Sequence, residues 1–391
     1  MSGSNPIDRQ SVYIAVGLLS GIGVLISTTM PMVIGAMIES LGINESQAGD
    51  VVAVFSLTFT AIAFASLFFI RKINWKLLSL LLSAICIGTL FFVPQVLGSA
   101  QGAQYRALIY IFGIMGIGMG GLYALGMTVM GDSENPDKAF GLKLGYENLP
   151  AIIALFAIPA LIIPQYGFKG LMYALGAMAL IAAPLSFLLP SKGIKGTAAS
   201  ISEGKPQAKY MPLLIINLIA SIIFFSGVIA VWAFLEVMGG IKGIATDKVG
   251  IILALAMFSA MIGAFVAAGL GNKRGRNIPM IGIIIVNVLS AALIWTSSSF
   301  AIFAIGAIAF VFCINFALAY FFALSADMDI GGGFVALSAA ALSIGGAIGP
   351  STAGRLMESH GLGGVLLFAS ACVVLSLVMY LVVVNRSQLE N

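Results

Sequence analysis

Ile38-Glu39-Ser40-Leu41-Gly42 returns, far down the chain, as Leu235-Glu236-Val237-Met238-Gly239. Each copy closes a long apolar segment on a Glu. Each leads into a Gly-containing turn, with Gly49 in the first copy and Gly250 in the second. A second long apolar segment follows and ends in a short basic turn. That turn is Arg71-Lys72 to Lys76 in the first copy and Lys273-Arg274-Gly275-Arg276 in the second. The likeness continues further along. The segment from Phe140 ends at Phe168-Lys169-Gly170, and the segment from Phe334 ends at Leu362-Gly363-Gly364 with the same spacing. A chain that repeats its segments in this order is built of two matching halves.

The segments themselves fix the fold class. The 391 residues are 60% hydrophobic and 9% charged, with a mean hydropathy of +1.09. A soluble domain carries roughly 25% charged residues. Crossing a bilayer takes about 20 mostly apolar residues per helix, and hydrocarbon forces the backbone to bond within itself. Strands of a membrane barrel are alternating segments of roughly 10 residues, and the runs here are longer and continuously apolar. The chain therefore reads as an all-α membrane protein whose surroundings are the lipid bilayer. The net charge of +4 sits in short loops, where it signals topology rather than nucleic acid. Cys86, Cys313 and Cys372 lie in apolar stretches and read as core thiols without a disulfide framework. Asp8 and Arg9 precede a full-length apolar run rather than the shorter core of a cleaved signal, so the first helix is expected to stay.

Twelve spans are expected, at residues 12–36, 47–70, 76–97, 105–130, 139–163, 168–190, 211–238, 248–271, 277–297, 299–325, 333–355 and 362–385. The polar stretch 191–210, rich in Lys, Gly and Ser, reads as a flexible linker. It separates a six-helix bundle at 1–190 from another at 211–391. With the N-terminus inside, the inner side holds 14 Lys and Arg residues, Lys143 among them, and the outer side holds 5. That asymmetry places both termini and the linker in the cytoplasm. The expected location is the cytoplasmic (inner) membrane, as a multi-pass protein.

With these features the chain resembles the major facilitator superfamily over essentially its whole length. The family's turn between spans two and three is a Gly-x-x-x-Asp-Arg-x-Gly-Arg pattern. The second-half copy, Ala268 to Arg276, keeps the basic and Gly positions, with Ala268 for the first Gly and Asn272 for the Asp. In the first-half copy, Ser66 to Trp75, Ile70 stands where the pattern has Asp. The family's span-five Gly-x-x-x-Gly-Pro motif is absent from span five, and a similar Gly345-x-x-x-Gly349-Pro350 occurs in span eleven. The resemblance implies two pseudo-symmetric six-helix bundles, alternating access, a small-molecule substrate and a monomer.

Glu147 is the leading candidate for mechanism. It lies about 8 residues into span five, or ~12 Å from the cytoplasmic end. Ionisable residues at such depth are costly and usually functional. A carboxylate there can carry the coupling proton, and Tyr146 and Asn148 flank it with hydrogen-bonding groups. The local alternative is a structural pair with Lys143, one turn earlier. The repeat partner of Glu147 is Ala341, which makes a proton role asymmetric. Glu39 and Glu236 are repeat partners at the outer ends of spans one and seven. They read as an outer gate or as solvated helix ends. Lys273, Arg274 and Arg276 are expected to gate the inner side.

The expected substrate cavity takes its polar groups from Thr28 and Thr29 just before Pro31, from Tyr146 and Asn148, and from Asn217, Asn315 and Tyr320. Phe59 and Trp232 supply aromatic faces. Thr58 and Thr60 are further mid-span hydroxyls, and such groups also bond back to their own helix. Span four holds a formal Gly-x-G-x-x-G run from Gly116 to Gly121. A dinucleotide site would need a preceding strand, so this run reads as close helix packing. His360 has no ligand cluster around it. No metal, no cofactor and no enzymatic activity are expected.

The function expected is secondary active transport of a small organic solute, coupled to protons. Export stands slightly ahead, because the visible lining is apolar with acids only, which favours a neutral, amphipathic or cationic solute. The alternatives are a proton-coupled importer of a small metabolite and a non-transporting sensor or scaffold with the same fold.

Overall fold

Apolar runs of this length must satisfy their own backbone, and they do so as helices. The computed structural model describes residues 6–98, 101–134, 136–193, 210–271, 275–328 and 333–390, and no strand occurs among them. Contacts divide the chain into two compact units. One comprises Met1–Ile43 and Val54–Ala198, the other Asn44–Ala53 and Ala199–Asn391.

The first unit begins with a broken span. It runs as α1 (Gln10–Gly23), α2 (Leu25–Thr28) and α3 (Met30–Leu41). The breaks fall at Val24 and Thr29, whose ψ angles relax to 6° and 15°. Pro31 opens α3, in the first turn where its missing N–H costs nothing. Gly42 closes it at φ 63°, donating its N–H to the Ile38 carbonyl at 3.2 Å. Then come α4 (Glu45–Phe69), whose residues up to Ala53 group with the second unit, α5 (Trp75–Val96), α6 (Gln101–Gly131), α7 (Pro136–Leu161) and α8 (Ile163–Ala182).

The second unit contains α9 (Met211–Ile241), α10 (Thr246–Leu270), α11 (Asn277–Thr296), α12 (Phe300–Met328) and the long α13 (Gly333–Glu390). The last is two spans joined at Gly361, with φ 62° and ψ −162°. Gly167 breaks α8 in the same way, at φ 54° and ψ −148°. Only glycine adopts this backbone without strain. The two glycines stand at the same offset as Phe140 and Phe334, so the repeat is written into the backbone as well as the sequence.

Among the described residues ten helices are long and apolar enough to cross a membrane. Splitting α13 at Gly361 and restoring the broken first span gives twelve spans in two six-helix bundles. Large apolar side chains such as Phe68, Ile181, Phe265 and Ile305 are exposed on the helices. In water such surface is a liability, whereas lipid tails solvate it. The expected linker falls largely at 194–209, outside the described residues.

The inner turn of the first unit supplies its own carboxylate. Arg71 makes a bidentate pair with Asp132 at the end of α6, at 2.8 and 3.2 Å. The Asp132 side chain is fully buried. Ile70, at the family's Asp position, is buried and accepts the Trp75 indole N–H at 2.9 Å. The acid lost from the turn is thus provided from the end of α6.

Candidate functional site

In the first unit three helices meet at one ion pair, with a fourth packed behind them. Lys143 and Glu147, one turn apart on α7, join Nζ to Oε2. The Lys143 side chain is fully enclosed, and Glu147 is 7% exposed. Ser20 on α1 donates its hydroxyl to the same Glu147 oxygen at 2.6 Å. The ammonium lies 4.3 Å from the Tyr123 ring centroid and 3.4 Å from Met127 Sδ, both on α6. Phe59 on α4 packs its ring 5.7 Å from that of Tyr123.

The approach of α1 to α7 makes this possible. A Cβ on Gly17 would stand 2.5 Å from Tyr146 Cβ, and one on Gly21 would stand 2.6 Å from the Glu147 carbonyl. Two glycines one turn apart therefore let the helices touch backbone to backbone beside the charges. That closeness brings Ser20 within reach of the carboxylate.

Lys143 corrects the loop count above. It is not a cytoplasmic loop residue, because α7 carries it into the protein interior. Removing it changes the expected count to 13 inner positive charges against 5. An interior furnished with acids alone is also corrected, since this ammonium is buried with its acid. The sequence placed Lys143 one turn from Glu147. It gave no signal for Ser20 or Tyr123, which come from distant segments.

The other expected residues in this unit lie apart from the pair. The Thr28 hydroxyl donates to the Val24 carbonyl at 2.9 Å, and that of Thr29 to the Leu25 carbonyl at 2.6 Å. Both bond to their own helix. Asn148 does likewise with the Leu144 carbonyl at 2.8 Å. Tyr146 receives a long contact of 3.4 Å from Gln10 Nε2. Glu39 is exposed.

In the second unit Asn217 is fully buried on α9. Its amide donates to Ser325 Oγ at 2.8 Å and to the Phe321 carbonyl at 3.1 Å. Tyr320 donates to the Gly271 carbonyl at 2.9 Å, closing the end of α10, and stacks on Phe316. Trp232 and Glu236 are buried one turn apart on α9, so Glu236 is no solvated helix end, unlike its repeat partner Glu39. Asn315 is half-buried on α12. Arg276 reaches the Ala323 carbonyl at 3.4 Å, while Lys273 and Arg274 lie outside the described residues. Sequence reading overlooked Asp50, which belongs to this unit. It accepts from Ser351 Oγ at 2.6 Å and from Arg355 at 3.1 Å.

A family model described as Major Facilitator Superfamily matches residues 15–329. The fold is similar to that of a mutant form of the nucleoside transporter NupG, at a TM-score of 0.78 and 13% identity over 95% of this chain and 99% of that one. It is also similar to a bacterial homologue of the human lysosomal transporter Spinster in an inward-facing, occupied conformation. There the TM-score is 0.74 and the identity 14%, over 97% of each chain. No curated protein matches the chain in sequence. At these identities the structural likeness speaks for the fold alone.

Proposed function

The chain belongs to the major facilitator superfamily, and on that premise we propose a secondary active transporter that couples a small organic solute to protons carried by Glu147. The observation that carries this reading is the buried Lys143–Glu147 pair with its Ser20 hydrogen bond. Burying two charges costs several kcal/mol per ion before their attraction returns any of it. A chain that is otherwise so apolar has cheaper ways to pack α7. A carboxylate held between an ammonium on its own helix and a hydroxyl on α1 is, in contrast, placed where a change in its charge would be felt by both helices.

The sequence-based lean toward export rested on acids alone in the interior. Lys143 removes that ground, and proton-driven uptake becomes the reading. We place the protein in the cytoplasmic membrane as a monomer, with both termini cytoplasmic. The proposed bundles are 1–190 and 211–391, joined by the linker 191–210. Glu39, Glu236 and the Lys273–Arg274–Arg276 turn serve as gates. Of the residues expected to line a cavity, Phe59 and Tyr146 in the first unit and Asn217, Trp232, Asn315 and Tyr320 in the second stay candidates, while the polar groups of Thr28, Thr29 and Asn148 are taken up by their own helices.

The test is accumulation in reconstituted vesicles from a mixture of anionic, neutral and cationic metabolites, under an imposed inward proton gradient. The wild-type chain is expected to concentrate a subset of them. Glu147→Gln is expected to lose concentration while still exchanging the same solutes across the bilayer. Unchanged accumulation by Glu147→Gln would remove Glu147 from the coupling. No accumulation of any class by the wild type would favour the sensor or scaffold alternative.

A further inference from the structure

We infer that Lys143 is an anion subsite uncovered when Glu147 takes up its proton, so that the solute is a small organic anion, a carboxylate in the first instance. The inference rests on Glu147 as the proton carrier and adds the chemistry of the substrate.

Lys143 Nζ has three close neighbours, Glu147 Oε2, the Tyr123 ring and Met127 Sδ. Only Glu147 carries a full negative charge. The helices packed on α7 bring no replacement. α1 and α2 contain no acid or base, and their one titratable side chain is Tyr13. On α6 the one charged residue is Arg106, near its far end, with Tyr105, Tyr110 and Tyr123 as its phenols. On α8 it is Lys169, with Tyr166 and Tyr173. Asp137 and Lys138 lie in the first turn of α7 itself, ahead of Lys143. Among the described residues, then, protonating Glu147 leaves the Lys143 ammonium with no other counter-ion. Such a charge is strongly disfavoured unless an anion reaches it.

The surroundings specify what that anion must look like. A carboxylate can accept from the ammonium in a short charge-assisted bond. The Tyr123 ring beside Nζ, with Phe59 behind it, offers an apolar surface to the rest of the solute. On the α1 side Gly17 and Gly21 close the space at backbone contact. The open edge is that of Glu147, whose side chain is 9% exposed while that of Lys143 is 0%. The solute enters where the neutralised Glu147 withdraws. Proton and anion then assist each other's binding, and by linkage the assistance is mutual. That is the logic of symport. Export in exchange for protons would require the two to compete.

Benzoate and acetate serve as probes, with benzyl alcohol as the neutral control, in melting and binding measurements on the purified full chain. Glu147→Gln fixes the protonated state, and Lys143→Gln/Glu147→Gln removes the charge as well. Glu147→Gln is expected to bind benzoate about 10- to 100-fold more tightly than the double variant, the worth of a hydrogen bond to a charged group. Benzyl alcohol is expected to show no such difference. Should Glu147→Gln not fold, the wild-type chain supplies the contrast, binding benzoate more tightly at mildly acidic than at mildly alkaline pH while the double variant does not. Equal anion binding with and without Lys143 would overturn the inference. That is also the result expected if Lys143 gives up its proton once Glu147 is neutral. The proton reading fails separately, by unchanged accumulation in Glu147→Gln.

Discussion

Span five in the first unit and span eleven in the second occupy corresponding places, and they solve the same packing problem differently. On α7 the chain sets Lys143 and Glu147, whereas the matching positions on α13 are Leu337 and Ala341. Ala341 is fully buried, as is Lys143. The glycines change sides as well. In the first unit Gly17 and Gly21 on α1 let α7 come close. In the second, Gly345 and Gly349 on α13 abut Phe225 and Ser226 of α9. Close contact therefore requires small residues on one helix of the pair, and it does not matter which. Where the small residues belong to α1, the facing helix is free to carry long side chains. The second unit shows that the architecture stands with aliphatic residues in place of the charges. The pair is not needed to build a six-helix bundle, which agrees with the role proposed for it in transport.

That contrast sets the size of the expected effects. Glu147→Ala strands a buried ammonium and is expected to cost about 3–5 kcal/mol, read as a fall in melting temperature of the purified protein. Lys143→Leu/Glu147→Ala, which copies the second unit, is expected to lie within about 1 kcal/mol of the wild type or above it. A double variant as unstable as the single one would make the pair structural after all. Arg71→Ala leaves the enclosed Asp132 carboxylate without its bidentate partner and is expected to cost about 1.5–3 kcal/mol. Gly21→Ala forces a methyl against the Glu147 carbonyl and is expected to cost about 1–3 kcal/mol, with Gly349→Ala comparable by the same crowding. If Gly21→Ala alone were harmless, the two helix pairs would not be equivalent. Arg355→Ala breaks a largely exposed pair with Asp50 and is expected to change stability by less than about 1 kcal/mol, less still in high salt.

The spans, the repeat and the sharp turns were legible because they depend on local composition. Apolar length gives a helix, and a glycine at the end of a segment gives a left-handed turn, as at Gly42. The broken first span was only half visible. Pro31 marked it, but the breaks at Val24 and Thr29 carry no sequence signature. Thr28 and Thr29 looked like ligand groups, but their hydroxyls bond one turn back, and that choice depends on backbone geometry. Glu147 and its neighbour Lys143 could be found because they sit on one helix face. Ser20 and Tyr123 could not, since they reach the pair from two other helices. Asp132 was missed for the same reason. Pattern matching looked for the acid inside the turn, and the fold supplies it from the end of α6. Glu39 and Glu236 are alike in sequence and differ in burial, because the environment of each is made by helices remote from it.

The most direct test is pH-driven solute accumulation by the Lys143→Leu/Glu147→Ala variant in vesicles, beside the wild-type chain. The expected result is a folded protein of near-normal melting temperature that no longer concentrates solute under a proton gradient. Retained accumulation would contradict the assignment of the pair to transport, and would return Lys143 and Glu147 to the packing of the bundle.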